Sequence, residues 1–197
     1  MGAILQSLGR TVAAGVVLLV IIIILAGVLT GHFVSVDMAW STFCMRWLHV
    51  LSGVMWIGLL WYFNFVQIPS MPKIPDEQKP AVSKVIAPTA LFWFRWAAAA
   101  TVLTGLLLAL MNGYLVQALT FRAPVYTIGT GMWLALIMAY NVWFIIWPNQ
   151  KKALGIVQVA PDEKAKAARV AMLTSRINTL LSIPMLYCMV GQSHGGL

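Results

Sequence analysis

Charge is scarce in this chain. Only 9% of its 197 residues are charged, and just five of those are acidic. The acids, Asp37, Asp76, Glu77, Asp162 and Glu163, all lie between apolar runs rather than within them. General acid–base chemistry by a buried carboxylate is therefore excluded. The two cysteines, Cys44 and Cys188, make neither a disulfide framework nor a CxxCH haem-attachment motif, and they read as packing residues. A phosphate-cradling glycine loop is also missing, as is any serine or cysteine with a histidine partner at its depth. Lys and Arg exceed Asp and Glu by 13 − 5 = 8, but no basic run or RNA-binding aromatic motif accompanies them. The positive charge points to a membrane surface and not to nucleic acid.

Apolar residues, by contrast, are abundant. They make up 61% of the chain, and the mean hydropathy is +0.87. Long apolar runs at about 11–30, 47–66, 89–111, 126–147 and 169–190 each approach the ~20 residues needed to cross hydrocarbon as a helix. The expected fold is an all-α integral membrane protein of one domain with five transmembrane helices. The first run follows a single Arg10, exceeds a signal-peptide core and lacks a small-residue cleavage site, so a retained helix is expected. The segments "QIPSMPKIPDEQKPAVSKVIAP", "NGYLVQALTFRAP" and "PNQKKALGIVQVAPDEKAKAAR" are taken as connections. Within the last, Asp162 and Glu163 ahead of a basic stretch mark a helix start before the membrane. With five spans, one side receives Arg10, Lys73, Lys79, Lys84, Lys151, Lys152, Lys164, Lys166 and Arg169, against Arg46 and Arg122 opposite. Positive loops stay inside, which sets the N-terminus inside and the C-terminus outside.

Polar residues sort by depth. His32 ends the first span, His49 begins the second and His194 follows the fifth, so all three histidines belong to the outer end. Asn64, Arg95, Asn141, Arg176 and Asn178 form a second layer at the opposite level. An arginine in hydrocarbon costs roughly 2.5–3.5 kcal/mol on insertion scales and turns to the bundle, to water or to an anion. No acid lies at that depth, so Arg95, Arg176, Asn64 and Asn141 are candidates to bind an anion or a lipid. Snorkelling to headgroups is the other reading.

At 100° per residue, Arg46, His49, Gly53, Trp56 and Asn64 share one face of the second span. Gly53 leaves a gap beside His49 wide enough for a flat macrocycle. That points to a b-type haem on His49, with His194, His32 or Met189 as the other axial ligand and Arg46 and Arg122 for its propionates. An imidazole hydrogen-bonded to a neighbouring helix is the simpler alternative. Copper held by His32, His49 and His194 with Met45 and Met189 is weaker, since no His-x-His or Met-x-x-Met repeat supports it.

The stretches "RWLHVLSGVMWIGLLWYFNF" (46–65), "WFRW" (93–96), "IGTGMWLALIMAYNVWFIIWPNQKK" (128–152) and "SRINTLLSIPMLYCMVGQSH" (175–194) resemble, in order, the urate oxidase N-terminal family. This is the membrane domain of bacterial urate oxidases that end in a cytochrome c module. The resemblance implies a His-bearing bundle linked to electron transfer. His49 carries over best, and His194 with a small offset. Ile177 stands where the family has a histidine, and the sequence contains no CxxCH, so a short stand-alone member without the cytochrome domain is expected.

The leading expectation is a haem b protein of the bacterial inner membrane in which spans two to five form the bundle, serving electron transfer or oxidation. Its partners would be membrane lipids and a periplasmic cytochrome or larger membrane complex. A cofactor-free accessory subunit of a respiratory or photosynthetic complex is the alternative.

Overall fold

The computed structural model describes residues 2–195. All regular structure among the described residues is helical. The chain divides into two compact units that meet in sequence at Phe43 and Cys44.

In the first unit, a single turn at Gly2–Leu5 precedes helix α1, Leu8–Thr30. Nearly all its side chains are exposed; the one buried residue is Gly27, whose Cα faces the Phe33 ring so closely that a Cβ would stand 2.8 Å from it. A helix apolar all round suits lipid, where tails take the place of a protein core. Gly31, in the left-handed region at φ 72°, ends the helix.

Helix α2, Met38–Trp61, leads into the second unit and passes without a break into a π-helical segment, Tyr62–Gln67. The main helices that follow are α3, Ala87–Met111; α4, Leu115–Leu119; α5, Tyr126–Tyr140; α6, Trp147–Ala153; and α7, Pro161–His194. A further π segment, Asn141–Ile146, joins α5 to α6, and another, Val82–Ile86, leads into α3. Helix α7 packs along α5 and α6, and α4 folds back on α5. The core is built from Trp56, Leu60 and Phe63, from Leu91, Phe94 and Ala98 on α3, from Met138, Val142 and Ile146, and from Met185 on α7. Its contacts are ring edges such as Phe63 against Phe94 at 5.7 Å between centroids.

Two expectations meet the structure in part. First, the Pro-rich connection after the second span is partly helical: Ile68–Ser70 and Met71–Lys73 extend the stretch that begins at Met38, and Lys79–Ala81 opens the one that runs to Met111. Pro80 stands in the first turn of the latter, where its missing N–H has no partner to lose. Secondly, four helical stretches are long and apolar enough to cross a membrane: Leu8–Thr30, Met38–Lys73, Lys79–Met111 and Tyr126–Ala153. These mark a multi-pass membrane protein. The expected fifth span, inside α7, is not among them. Its apolar run is diluted by Thr174, Ser175, Arg176, Asn178, Thr179 and Ser182.

Most of those polar groups are spent inside the bundle. Asn178, wholly buried, accepts from Asn141 Nδ2 at 2.8 Å and donates to the Met138 carbonyl at 2.9 Å. Ser182 accepts from Trp61 Nε1 at 3.0 Å, and Ser175 accepts from Asn64 Nδ2 at 2.8 Å. These are interhelical bonds that fix register where lipid offers no alternative partner. Helix α7 also continues past Pro184 as one element.

Candidate cofactor cavity

Between α2 and the helices opposite it lies a cavity of about 790 Å³, within the range of small-molecule and cofactor sites. One wall carries Arg46, His49, Gly53 and Trp56 from α2; the facing wall carries Met189 and His194 from α7. All five sequence candidates for cofactor binding therefore border a single space. Asn64, on the same helical face, is turned instead to Ser175. Arg122 is not among the lining residues, whereas Arg46 and Tyr114 are.

His49 owes its pose to α3. Its Nδ1 stands 3.0 Å from the Thr101 carbonyl oxygen and 3.3 Å from Thr104 Oγ1. A carbonyl can only accept, so Nδ1 carries the proton and Nε2 keeps its lone pair. Thr101 and Thr104 each send their own hydroxyl back to a carbonyl one turn earlier, Ala97 at 2.7 Å and Ala100 at 2.6 Å. Gly105 makes room for the ring: a Cβ there would lie 2.8 Å from His49 Cε1. The bond to a neighbouring helix that the sequence offered as an alternative to ligation is thus present. It leaves Nε2 without a hydrogen-bond partner among the described residues. An imidazole tied through one nitrogen to a backbone carbonyl, with the other free, is the usual arrangement of a ligating histidine.

Gly53 plays a milder part than expected. A Cβ there would have one neighbour, Thr101 Cγ2 at 3.9 Å, which is ordinary contact. Close approach belongs to Gly105 instead. That residue, with Thr101 and Thr104, was missed in the sequence, although two threonines and a glycine at i, i+3 and i+4 inside an apolar helix, "TVLTG", are its visible trace.

His194 also borders the cavity, with Nδ1 3.0 Å from the Val190 carbonyl. His32 belongs to the first unit, where its Nδ1 lies 2.8 Å from the Thr30 carbonyl. Among the described residues no group of three His, Cys, Asp or Glu side chains is placed to hold a metal ion. Where Tyr114 borders the cavity beside Arg46, burial pushes its phenol above the usual range, offset in part by the positive charge of Arg46.

The inner candidates separate into three environments. Asn141 is bonded to Asn178 and Asn64 to Ser175, so both are interhelical ties. Arg176 is exposed on α7 between Leu173, Ile177 and Leu180. Arg95 is only 9% exposed and lies flat on the Trp147 ring, with Cζ 3.4 Å from its centroid.

No match was found among curated proteins or solved structures. The family model described as urate oxidase N-terminal matches residues 114–196, which include all of the motifs at 128–152 and 175–194. The motifs at 46–65 and 93–96, with His49 and Arg95, lie outside the matched residues. Residues 114–196 of this chain are thus similar to the urate oxidase N-terminal family.

Proposed function

We propose that the cavity holds a b-type haem on His49, in a five-span membrane protein that serves electron transfer or oxidation. The observation that carries this is the pose of His49, with Nδ1–H held by the Thr101 carbonyl and Nε2 left as a free donor on a large cavity. The residues fit the group. His49 would hold the haem iron together with either His194 or Met189, and Arg46 would offer a cation to the propionates. A bound haem would supply reversible one-electron chemistry; this chain's part is to orient the ligand, exclude water and offer the propionates a charge. His49 keeps one tautomer, because turning the ring would strand its N–H against the apolar wall. The apolar side chains Ile57, Leu106, Met132 and Leu136 around the space keep it dry.

The family match over residues 114–196 supports a membrane domain linked to oxidase chemistry. A fifth span within α7 follows from the same reading. Its polar side chains are consumed by Asn64, Trp61 and Asn141, so the face left toward lipid is Leu173, Ile177, Leu180, Ile183 and Val190, interrupted by Arg176. Five spans put the lysine-bearing connections inside, in a bacterial inner membrane, and His49 and His194 at the outer end. Copper has less support than haem, since it needs a ligand cluster that the described histidines do not form.

The test is haem stoichiometry of the purified full chain expressed with haem supplied. The wild type and His32→Ala are expected to retain about one haem, and His49→Ala to lose most of it. Equal retention by His49→Ala and the wild type would overturn the assignment.

A further inference from the structure

At the lysine-bearing end of the bundle, Arg95 has five N–H donors and no acceptor. Among the described residues it makes no hydrogen bond and no ion pair; the two ion pairs present are Lys79 with Asp76 and Lys152 with Glu163. It is nevertheless nine-tenths buried, and its Nη1 is fully enclosed without a partner. The Trp147 ring beneath it attracts the charge but satisfies none of the N–H groups. A buried guanidinium in that state needs an acceptor that the protein does not provide.

The same indole carries a second cation. Lys151 Nζ lies 5.6 Å from the Trp147 centroid, while its neighbour Lys152 is already neutralised by Glu163. Two positive charges thus gather on one ring, and among the described residues neither has a carboxylate within ion-pair distance. Like charges so placed repel unless an anion sits with them. Gln150, one turn beyond Trp147, has an enclosed Oε1 without a donor. Its amide turned over would offer N–H instead. Depth is given by α3 itself: Trp93 and Trp96, either side of Arg95, are about half exposed, as tryptophans at headgroup level are.

We propose that Arg95, Lys151 and Trp147 form a binding site for a phosphoryl anion, either the headgroup of an anionic phospholipid at that membrane surface or free phosphate. The site is separate from the haem cavity and does not depend on haem being bound.

The full chain, purified in mild detergent, is assayed for bound phosphorus and its co-purifying lipids are weighed by mass spectrometry. Delipidated protein is then titrated with phosphatidylcholine vesicles with and without phosphatidylglycerol, and separately with inorganic phosphate. The expected result is about one tightly held phosphoryl group per chain. Several-fold weaker retention is expected in Lys151→Gln, loss in Arg95→Gln, and no change in Arg122→Gln at the opposite end. Lys151 is on the surface, so its variant keeps the test valid if Arg95→Gln fails to fold. Response to phosphatidylglycerol alone assigns the lipid, and response to phosphate alone assigns the free anion; either supports the site. Wild type that binds neither, or a Lys151→Gln variant that retains as much phosphorus as wild type, overturns it.

Discussion

At the scale of single residues, the molecule turns on which polar atoms have partners. Asn178 has two, Asn141 Nδ2 and the Met138 carbonyl, and both are buried. Asn178→Ala strands the Asn141 amide, and a cost of about 1–3 kcal/mol is expected in thermal or chemical unfolding of the detergent-solubilised chain. A change within error would mean that water reaches the site. His49 shows how far the sequence carries at this scale. Its helical face was legible from spacing, but its tautomer was not, because Thr101, Thr104 and Gly105 lie more than fifty residues away. The steric prediction follows from Gly105: valine there drives into the His49 ring, and haem retention is expected to fall at least several-fold while the bundle stays helical by circular dichroism. Full haem retention by Gly105→Val would refute the account of how His49 is held. Tyr114 gives the pH prediction. Its folded pKa is raised, so its contribution to stability is complete below the ordinary tyrosine value and declines as pH rises through the folded one. Ultraviolet titration of wild type against Tyr114→Phe is expected to lose a tyrosine that ionises above the usual range, and an otherwise unchanged titration curve would contradict it.

At the scale of elements, length and apolarity sufficed for four membrane-crossing helices. The Pro-rich segment reads as a connection by composition, while the helical turns at its two ends depend on neighbours the composition does not show. The π segments Tyr62–Gln67 and Asn141–Ile146 carry Asn64 and Asn141, each aimed at α7. A shift from 3.6 residues per turn leaves no mark in a hydropathy pattern, and such segments often sit at functional places. Helix-to-helix approach is tightest where α4 meets α5: a Cβ on Gly129 would lie within hard contact of the Ala118 carbonyl oxygen, which is backbone and cannot swing aside. Gly129→Ala is therefore expected to destabilise the fold by about 1–3 kcal/mol, seen as a lower Tm, with the α4 turn the first to lose amide-exchange protection.

At the scale of the whole molecule, the distribution of lysines and the count of spans are coupled. Five crossings put the two termini on opposite faces of the membrane; four put them on the same face. Reporter fusions or accessibility of single introduced cysteines at each end distinguish these, and the expected result is an N-terminus inside and a C-terminus outside. Termini on one face would remove α7 from the membrane and with it the outer placement of His194. The central claim is that the cavity between His49 and His194 holds haem. Its most direct test is the absorption spectrum of the purified full chain expressed with haem supplied. The account predicts a Soret band that shifts on reduction with dithionite, and the absence of any Soret band in folded protein would contradict it.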